Sequence, residues 1–275
     1  MRPASSIESV HGDSGYQLLV RVWRPGKPPV AQVIILHGVV SHAEWLSPIA
    51  ERLAAKGTEV ICPDRRGTGL NKLNPGDAPS SDALLHDVRL ISQHFRRDDV
   101  PSHLAGFCWG GSYAICFADK YRNLFQSLIL IAPSVFPATD IAAKSITTGD
   151  SPVATETPLV PIDRFTRGPA YENYIVPDPL RTQFVSPRFN SIMVNMTTML
   201  GPRWAGIRIP NLMILASEDS LADNDKHRRA FEIVRGKPKR LAVVPGEHGV
   251  QFDAPEETAT IITDWLEMRI SSHKK

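Results

Sequence analysis

Six short apolar runs alternate with longer stretches of helical pattern, and this alternation constrains the fold more than any other feature of the chain. The runs are 31–36, 58–62, 102–107, 127–131, 211–216 and 240–244, and the helical stretches are 43–55, 82–95, 110–119, 223–234 and 255–270. Runs this short and this apolar are typical of strands buried on both faces of a sheet. Residues 17–23 mix apolar and polar positions and predict an earlier antiparallel strand. We therefore expect an α/β fold with a mostly parallel sheet of about eight strands flanked by helices.

The alternation stops between residues 137 and 208, where prolines and scattered apolar side chains replace it. Because a segment of this length is seldom structureless inside a domain, we interpret 137–208 as a helical cap inserted into a core formed by 1–136 and 209–275. The alternative is a proline-rich surface insertion with no role. The large apolar side chains of the segment suit the wall of an apolar pocket; they are Phe165, Tyr171, Tyr174, Phe184, Phe189, Met193, Met196 and Met199.

Length and charge limit the classes of protein that this chain represents. A chain of 275 residues is long enough for one large α/β domain. Its 31 Lys and Arg against 29 Asp and Glu give a net charge of +2. That charge is too small for the basic surface that sequence-independent nucleic-acid binding needs, so we expect no nucleic-acid partner.

The cysteines and the apolar runs indicate where the protein works. Three cysteines are too few for a disulfide scaffold, which favours a reducing compartment. The longest apolar run, 128–132, is far too short to cross a membrane, and the first residues lack the apolar centre of a signal peptide. We expect a cytoplasmic protein without an integral membrane segment. We also expect no cofactor and no metal, because no residues have metal-ligand spacing.

A candidate nucleophile lies in the sequence Gly106-Phe107-Cys108-Trp109-Gly110, between a predicted strand and a predicted helix. This is the G-x-nucleophile-x-G pattern of a nucleophile elbow, in the strand-turn-helix context that such an elbow requires. The alternative is a small buried apolar residue, the role that we predict for Cys62 and Cys116. At this point the chain resembles the α/β-hydrolase superfamily over nearly its whole length.

The resemblance implies a catalytic acid and a histidine after the nucleophile, in that order. Asp219 follows the run 211–216 and His248 follows the run 240–244, so both are expected at the edge of the sheet where ligands bind. His248 would accept the thiol proton of Cys108 and later protonate the leaving group, while Asp219 would orient the imidazole. Alternatives for the acid are Glu218, Asp223 and Asp140, and His248 is otherwise an incidental loop histidine.

Two branches of the superfamily share motifs with this chain. Residues 34–38 (Ile-Ile-Leu-His-Gly) and 63–69 (Pro-Asp-Arg-Arg-Gly-Thr-Gly) resemble the monoacylglycerol-lipase and lysophospholipase branch, which also has a cap but ordinarily uses serine. The elbow with its cysteine instead resembles the dienelactone hydrolases. We therefore expect this chain to have the overall architecture of the monoacylglycerol-lipase branch and the cysteine nucleophile of the dienelactone hydrolases.

The same resemblance implies the rest of the site. The oxyanion would be bound by the backbone N–H groups of Val39 and Trp109. Val40 stands where the first branch often has a second glycine, so the backbone beside Val39 is expected to be stiffer. The predicted substrate-binding residues are His37, Gly38, Trp109, Phe184, Met193 and Met196.

The sequence predicts a cysteine-dependent acyl hydrolase acting on an ester or thioester with an apolar acyl group. An acyltransferase or cyclase is the first alternative, because a thioester intermediate reacts readily with amines, and an alcohol is a further acceptor. The second alternative is a non-catalytic small-molecule binding protein on the same scaffold. The expected partner is a small-molecule acyl substrate, free or linked to a carrier or CoA.

Four arginines of the predicted cap are candidates for gripping a carboxylate or a phosphopantetheine phosphate. They are Arg164, Arg167, Arg181 and Arg188. The alternative for each is a solvated surface charge.

Overall fold

The computed structural model describes residues 5–138, 149–152, 161–166 and 168–273. Within these residues, eight strands form one sheet in the order β1-β2-β4-β3-β5-β6-β7-β8. The strands β3 to β8 run parallel, whereas β1 and β2 pair antiparallel. Their bounds are β1 Ser5–His11, β2 Gln17–Trp23, β3 Ala31–Leu36, β4 Thr58–Pro63, β5 Ser102–Phe107, β6 Leu128–Ile131, β7 Asn211–Ala216 and β8 Lys239–Val244. The mostly parallel eight-stranded sheet is confirmed.

Helices connect the strands as the sequence pattern predicts. Along the chain they are α1 Ser47–Ala55, α2 Ser81–His94, α3 Trp109–Lys120, α4 Pro169–Ile175, α5 Pro187–Thr198, α6 Leu200–Gly206, α7 Asn224–Ile233, α8 Val250–Asp253 and α9 Pro255–His273. Short 3₁₀ turns occupy Asp13–Gly15, Ala43–Leu46 and Ile162–Arg164. None of the helices within the described ranges is long and apolar enough to cross a membrane.

Burial explains which strands the sequence revealed. Every residue of β3, β4 and β7 is buried, as expected for strands covered by helices on both faces. In contrast, β1 pairs only with β2 at the sheet edge, and most of its residues are exposed. Sequence analysis did not predict β1, because an exposed edge strand has few of the apolar residues on which such a prediction depends.

The segment between β6 and β7 contains α4, α5 and α6, and we call residues 137–208 the insertion. It is tied to the core through Asp178, whose Oδ2 accepts hydrogen bonds from His42 Nε2 at 2.7 Å and Trp45 Nε1 at 2.6 Å. The Thr182 N–H also donates to the Val40 carbonyl at 3.0 Å. The boundaries of a separate cap domain stay a prediction. Asp140, Arg167 and the side chain of Tyr171 lie outside the described residues.

Candidate active site

Cys108 occupies a sharp turn between β5 and α3, with φ of 56° and ψ of −129°. Such a positive φ is uncommon for a residue with a side chain. The turn also needs two glycines, because a Cβ on Gly106 would lie 2.1 Å from the Gly110 carbonyl oxygen. A Cβ on Gly110 would in turn lie 2.0 Å from the Leu36 oxygen. The glycines of the predicted elbow are therefore required by close backbone packing.

The backbone around Cys108 is held on both sides. Its N–H donates to the Ile131 carbonyl at 3.1 Å, and its own carbonyl accepts from the Ser134 N–H at 3.0 Å. Gly38 approaches the side chain so closely that a Cβ there would lie 3.1 Å from Sγ. Cys108 is 8% exposed. These contacts fix the thiol beside the loop that follows β3.

Asp219 and His248 form a buried hydrogen-bonded pair. His248 Nδ1 donates to Asp219 Oδ2 at 2.8 Å, and each side chain is 1% exposed. The other carboxylate oxygen accepts from the N–H groups of Leu221 and Ala222, both at 2.9 Å. The loops after β7 and β8 thus bring together two residues that are 29 positions apart in the sequence.

The electrostatics of this pair favour an ionised carboxylate and a charged imidazole. Burial alone would lower the pKa of His248, but the charges of Asp219 and of an ionised Cys108 outweigh it, together with hydrogen bonding to both. The pKa of His248 is therefore raised well above its ordinary value. For Asp219, burial would raise the pKa, yet the imidazole and the two backbone donors lower it. Nε2 of His248 is buried and makes no hydrogen bond of standard geometry with any described residue. Cys108 is nevertheless close enough to raise the pKa of the imidazole.

The alternative acids differ from Asp219 in their surroundings. Asp223 caps α7, where its Oδ1 accepts from the Lys226 N–H at 2.9 Å. Glu218 is exposed. Among the described candidates, Asp219 is the carboxylate that contacts His248.

The loop after β3 presents an N–H of Val39 that donates to none of the described residues. The Gly38 N–H donates to Ser41 Oγ at 2.9 Å. The Val39 carbonyl accepts from Arg65 Nη2 at 3.1 Å. The Val40 carbonyl accepts from the Thr182 N–H at 3.0 Å. Neither the Val39 N–H nor the Trp109 N–H at the start of α3 donates a hydrogen bond to a described residue. Two backbone donors thus remain available at the positions where we predicted an oxyanion site.

His37 holds this loop in place. Its Nδ1 donates to the Gly38 carbonyl at 2.7 Å, and its Nε2 accepts from the Arg65 N–H at 3.0 Å. Burial, together with the nearby Arg65 charge, lowers the pKa of His37 well below its ordinary value, so the ring is neutral. Since both ring nitrogens are engaged by the protein, the geometry gives His37 a structural task, and substrate binding by its imidazole is disfavoured.

The remaining predicted substrate contacts lie on α3 and the insertion. Trp109 is buried and stacks on Tyr113, with ring centroids 5.6 Å apart. Met193 and Met196 are buried on α5, and Phe184 is half-buried before that helix. Within the described residues, none of these three insertion side chains hydrogen-bonds to Cys108 or His248 or makes a ring contact with them. Their role in substrate binding therefore stays a prediction.

Phe165, which the sequence predicts for the wall of an apolar pocket, packs on the candidate catalytic histidine, a contact that the sequence did not predict. Its ring lies 5.5 Å from the His248 imidazole and 5.6 Å from the Trp45 ring, measured between centroids. Its carbonyl accepts a hydrogen bond from the Gly249 N–H. The sequence shows an aromatic residue in the insertion, but it has no local pattern that predicts packing on a histidine 83 positions later.

The fold and the site define a class of protein. A mostly parallel sheet with an elbow after β5, and with an acid and a histidine after β7 and β8, is an α/β hydrolase. The family model Hydrolase_4, described as serine aminopeptidase S33, matches residues 27–254, and the chain belongs to this family. The elbow carries cysteine although the family description names serine.

Individual proteins support the same assignment. An abhydrolase domain-containing protein of Dictyostelium discoideum is 24% identical over 98% of this chain, which spans 30% of that protein's length. The monoglyceride lipase of Mus musculus is 22% identical, with 98% of this chain and 93% of the lipase covered. Among solved structures, a soluble variant of the Saccharomyces cerevisiae monoglyceride lipase superposes with a TM-score of 0.82 at 15% identity, covering 98% of this chain and 96% of that one.

Proposed function

We propose that the protein is a cysteine-dependent acyl hydrolase that cleaves an ester or thioester with an apolar acyl group. The observation that carries the proposal is the 2.8 Å hydrogen bond between Asp219 and His248, next to a cysteine held at the positive-φ position of the elbow. Similarity to monoglyceride lipases supports ester cleavage as the reaction. The donor is a small molecule, free or attached to a carrier or CoA.

Before the first half-reaction, the Cys108 thiol has given its proton to His248 Nε2, and the thiolate sulfur of this ion pair attacks the acyl carbonyl carbon. The carbonyl oxygen becomes an oxyanion, which accepts hydrogen bonds from the N–H groups of Val39 and Trp109. When the tetrahedral intermediate collapses, the bond to the leaving alkoxide or thiolate breaks. The leaving group takes the proton from His248, and a thioester to Cys108 remains.

In the second half-reaction, His248 removes a proton from water, and the resulting hydroxide attacks the thioester carbon. The carbon–sulfur bond breaks, the carboxylic acid leaves, and the ion pair of Cys108 thiolate and protonated His248 is restored. Asp219 stays ionised throughout, because its pKa is lowered by the imidazole and by two backbone donors. It therefore stabilises the imidazolium in both halves.

Acyl transfer to a bound amine or alcohol is a second candidate, which the burial of the site favours. Cys108 is 8% exposed, and Phe165 covers the imidazole. Limited access of water slows hydrolysis of the thioester. An amine that binds beside it would then compete well for the acyl group.

Intact-mass spectrometry after addition of p-nitrophenyl butyrate tests the proposal. We expect a butyryl adduct on wild-type protein that forms on Cys108 and decays in water. Cys108→Ala should form no adduct, whereas Cys116→Ala, which alters a buried thiol in contact with the Met196 carbonyl, should form it at the wild-type rate. An adduct that persists until an amine is added would establish transfer. Absence of any Cys108 adduct, with several ester and thioester donors, would overturn both candidates and leave a binding protein.

A further inference from the structure

Arg65 is a buried cation on the loop after β4. It is 6% exposed, and its Nη2 donates to the Val39 carbonyl at 3.1 Å. Its Nε and Nη1 are fully buried and have no hydrogen-bond partner in the described part of the chain. Burial lowers the pKa of Arg65 to about 10, so the guanidinium remains charged at neutral pH. An unpaired buried charge is costly to a folded protein, and this one calls for a counterion.

The carboxylates near Arg65 have other partners. Asp64 accepts from the N–H groups of Ala43 at 2.7 Å and Leu70 at 2.8 Å. Asp87 binds both Nε and Nη2 of the neighbouring Arg66. The contrast between adjacent arginines is therefore clear: Arg66 has a bidentate carboxylate, and Arg65 has none among the described residues.

A third unpartnered donor lies next to this guanidinium. The indole Nε1 of Trp109 is buried and has no partner in the described chain, and Trp109 is 5% exposed. The Arg65 Cζ lies 5.6 Å from the centroid of the Trp109 ring and 4.2 Å from that of Phe189 on α5. Phe189 also packs on the Trp109 ring at 5.6 Å. The side chains of Arg65 and Trp109 thus lie together between core and insertion, and Trp109 directly follows Cys108.

Water alone does not neutralise this charge. Arg65 lines a small cavity of about 20 Å³ with His37 and Tyr113, which has room for about one water molecule. A water there would accept one hydrogen bond but carry no charge. A carboxylate supplies both an acceptor for each donor and the missing negative charge, in the planar geometry that a guanidinium prefers.

We propose that Arg65 and Trp109 form a subsite for a carboxylate at the far end of the substrate's acyl chain. One carboxylate oxygen accepts from Arg65 Nε or Nη1, and the other accepts from Trp109 Nε1. As a statement about substrate, this inference rests on the proposed function, and it narrows the donor to monoesters or monothioesters of short dicarboxylic acids. The methylene carbons between the two carboxyl groups are the apolar part of the acyl group. Because Phe189 packs on both the guanidinium and the indole ring, the ligand reaches the two side chains when the Phe189 ring moves aside.

The subsite differs from the one that the sequence suggested. Arg188 is paired with Asp77, and Arg164 hydrogen-bonds to Ser220, so these two insertion arginines are engaged by the protein. Arg181 Nε is buried without a partner in the described chain, but no contact brings it to the elbow. Arg65 is next to the elbow and was not among the four candidates.

Binding to an inactive variant tests the subsite without turnover. On the Cys108→Ala background, we expect glutarate to bind in isothermal titration calorimetry and the neutral analogue valeramide not to bind measurably. Adding Arg65→Met should weaken glutarate binding by about tenfold to a hundredfold, as loss of a charged hydrogen-bond donor predicts. Adding Trp109→Phe, which removes one N–H and keeps an aromatic ring, should weaken it by about fivefold to tenfold. Arg203→Met, which makes the same charge change on α6, should leave it unchanged.

Turnover gives the second measurement. We expect wild-type protein to have a kcat/KM for mono-p-nitrophenyl glutarate at least about tenfold above that for p-nitrophenyl valerate, and Arg65→Met to abolish this ratio. Equal losses for both esters would indicate a merely structural arginine. Failure of glutarate to bind, together with a ratio near one, would overturn the subsite while leaving the hydrolase proposal intact. Glutarate binding through Arg65 without any acylation of Cys108 would instead overturn the hydrolase proposal and keep the subsite.

Discussion

At the residue scale, the pairing of Asp219 with His248 determines the protonation state of the site. The carboxylate accepts three hydrogen bonds, one from the imidazole and two from backbone N–H groups. It is therefore rigid as well as charged. The raised pKa of His248 has a consequence for stability: its contribution is fully present below the ordinary imidazole pKa of about 6.5 and is lost as pH rises through the folded-state value.

Asp219→Asn should lower the pKa of His248, because burial then acts on the imidazole without the opposing carboxylate. We expect kcat/KM to fall roughly 10²- to 10⁴-fold, as loss of the orienting acid does in other triads. The alkaline limb of the pH–rate profile should move to lower pH, since it reflects loss of the imidazolium. Both effects are measured in a pH series with a p-nitrophenyl ester.

Asp223→Asn is the matched control for this prediction. It makes the same chemical change four residues away, at the N-cap of α7, where asparagine caps a helix about as well as aspartate. The pH–rate profile should be unchanged. If the two variants behaved alike, Asp219 would not be the residue that orients His248.

At the element scale, the junction of β5 with α3 depends on two glycines that allow backbone atoms to approach each other. Gly110→Ala would place a Cβ 2.0 Å from the Leu36 carbonyl oxygen, which belongs to a buried central strand and cannot move aside. We expect a loss of about 3 to 5 kcal/mol in the free energy of unfolding, measured by urea denaturation.

Gly201→Ala on α6 provides the comparison, because its Cβ would meet no atom within 4 Å. Alanine is the better helix former, so we expect this variant to be neutral or stabilised by up to about 1 kcal/mol. If both variants changed the free energy of unfolding only slightly, the backbone at the elbow would be able to shift and accommodate a Cβ at residue 110.

The core elements were predictable from sequence because burial on two faces leaves a strong apolar signal. The predicted runs 31–36, 102–107 and 211–216 match β3, β5 and β7 residue for residue. The individual helices of the insertion were not predicted in this way, since α4 and α6 have only seven residues each and the segment has no alternation of strands and helices around them. Their position depends on contacts with the core that no local pattern encodes.

The candidate site shows the same division. Cys108 lies in a local motif, and Asp219 and His248 follow predicted strands in the order that the resemblance to the α/β hydrolases implies, so all three were indicated before the structure. The contacts that Arg65 and Phe165 make at the site were not indicated. Their importance arises from contacts across the sequence, with Val39 and with His248.

At the scale of the whole molecule, one buried carboxylate joins the insertion to the loop that carries Val39, one of the two predicted oxyanion donors. Asp178 Oδ2 accepts from His42 and Trp45, and its Oδ1 accepts from the Leu180 N–H at 2.9 Å. Burial would raise the pKa of Asp178, but these hydrogen bonds lower it. The stability that follows is present above the ordinary aspartate pKa of about 3.9 and is lost as pH falls through the lower folded-state value.

Asp178→Asn should loosen the insertion more than the core, because the amide has one accepting oxygen for three N–H donors and turns its own NH₂ group toward at least one of them. We expect a loss of about 2 to 3 kcal/mol in the free energy of unfolding. Backbone hydrogen exchange should accelerate in 178–206 and much less in β3 to β6. Asp163→Asn is the control: Asp163 is exposed on the 3₁₀ turn Ile162–Arg164, so its exchange profile should match that of the wild type. Uniform acceleration over the whole chain in Asp178→Asn would show that insertion and core unfold as one unit, and that Asp178 is not a separate anchor between them.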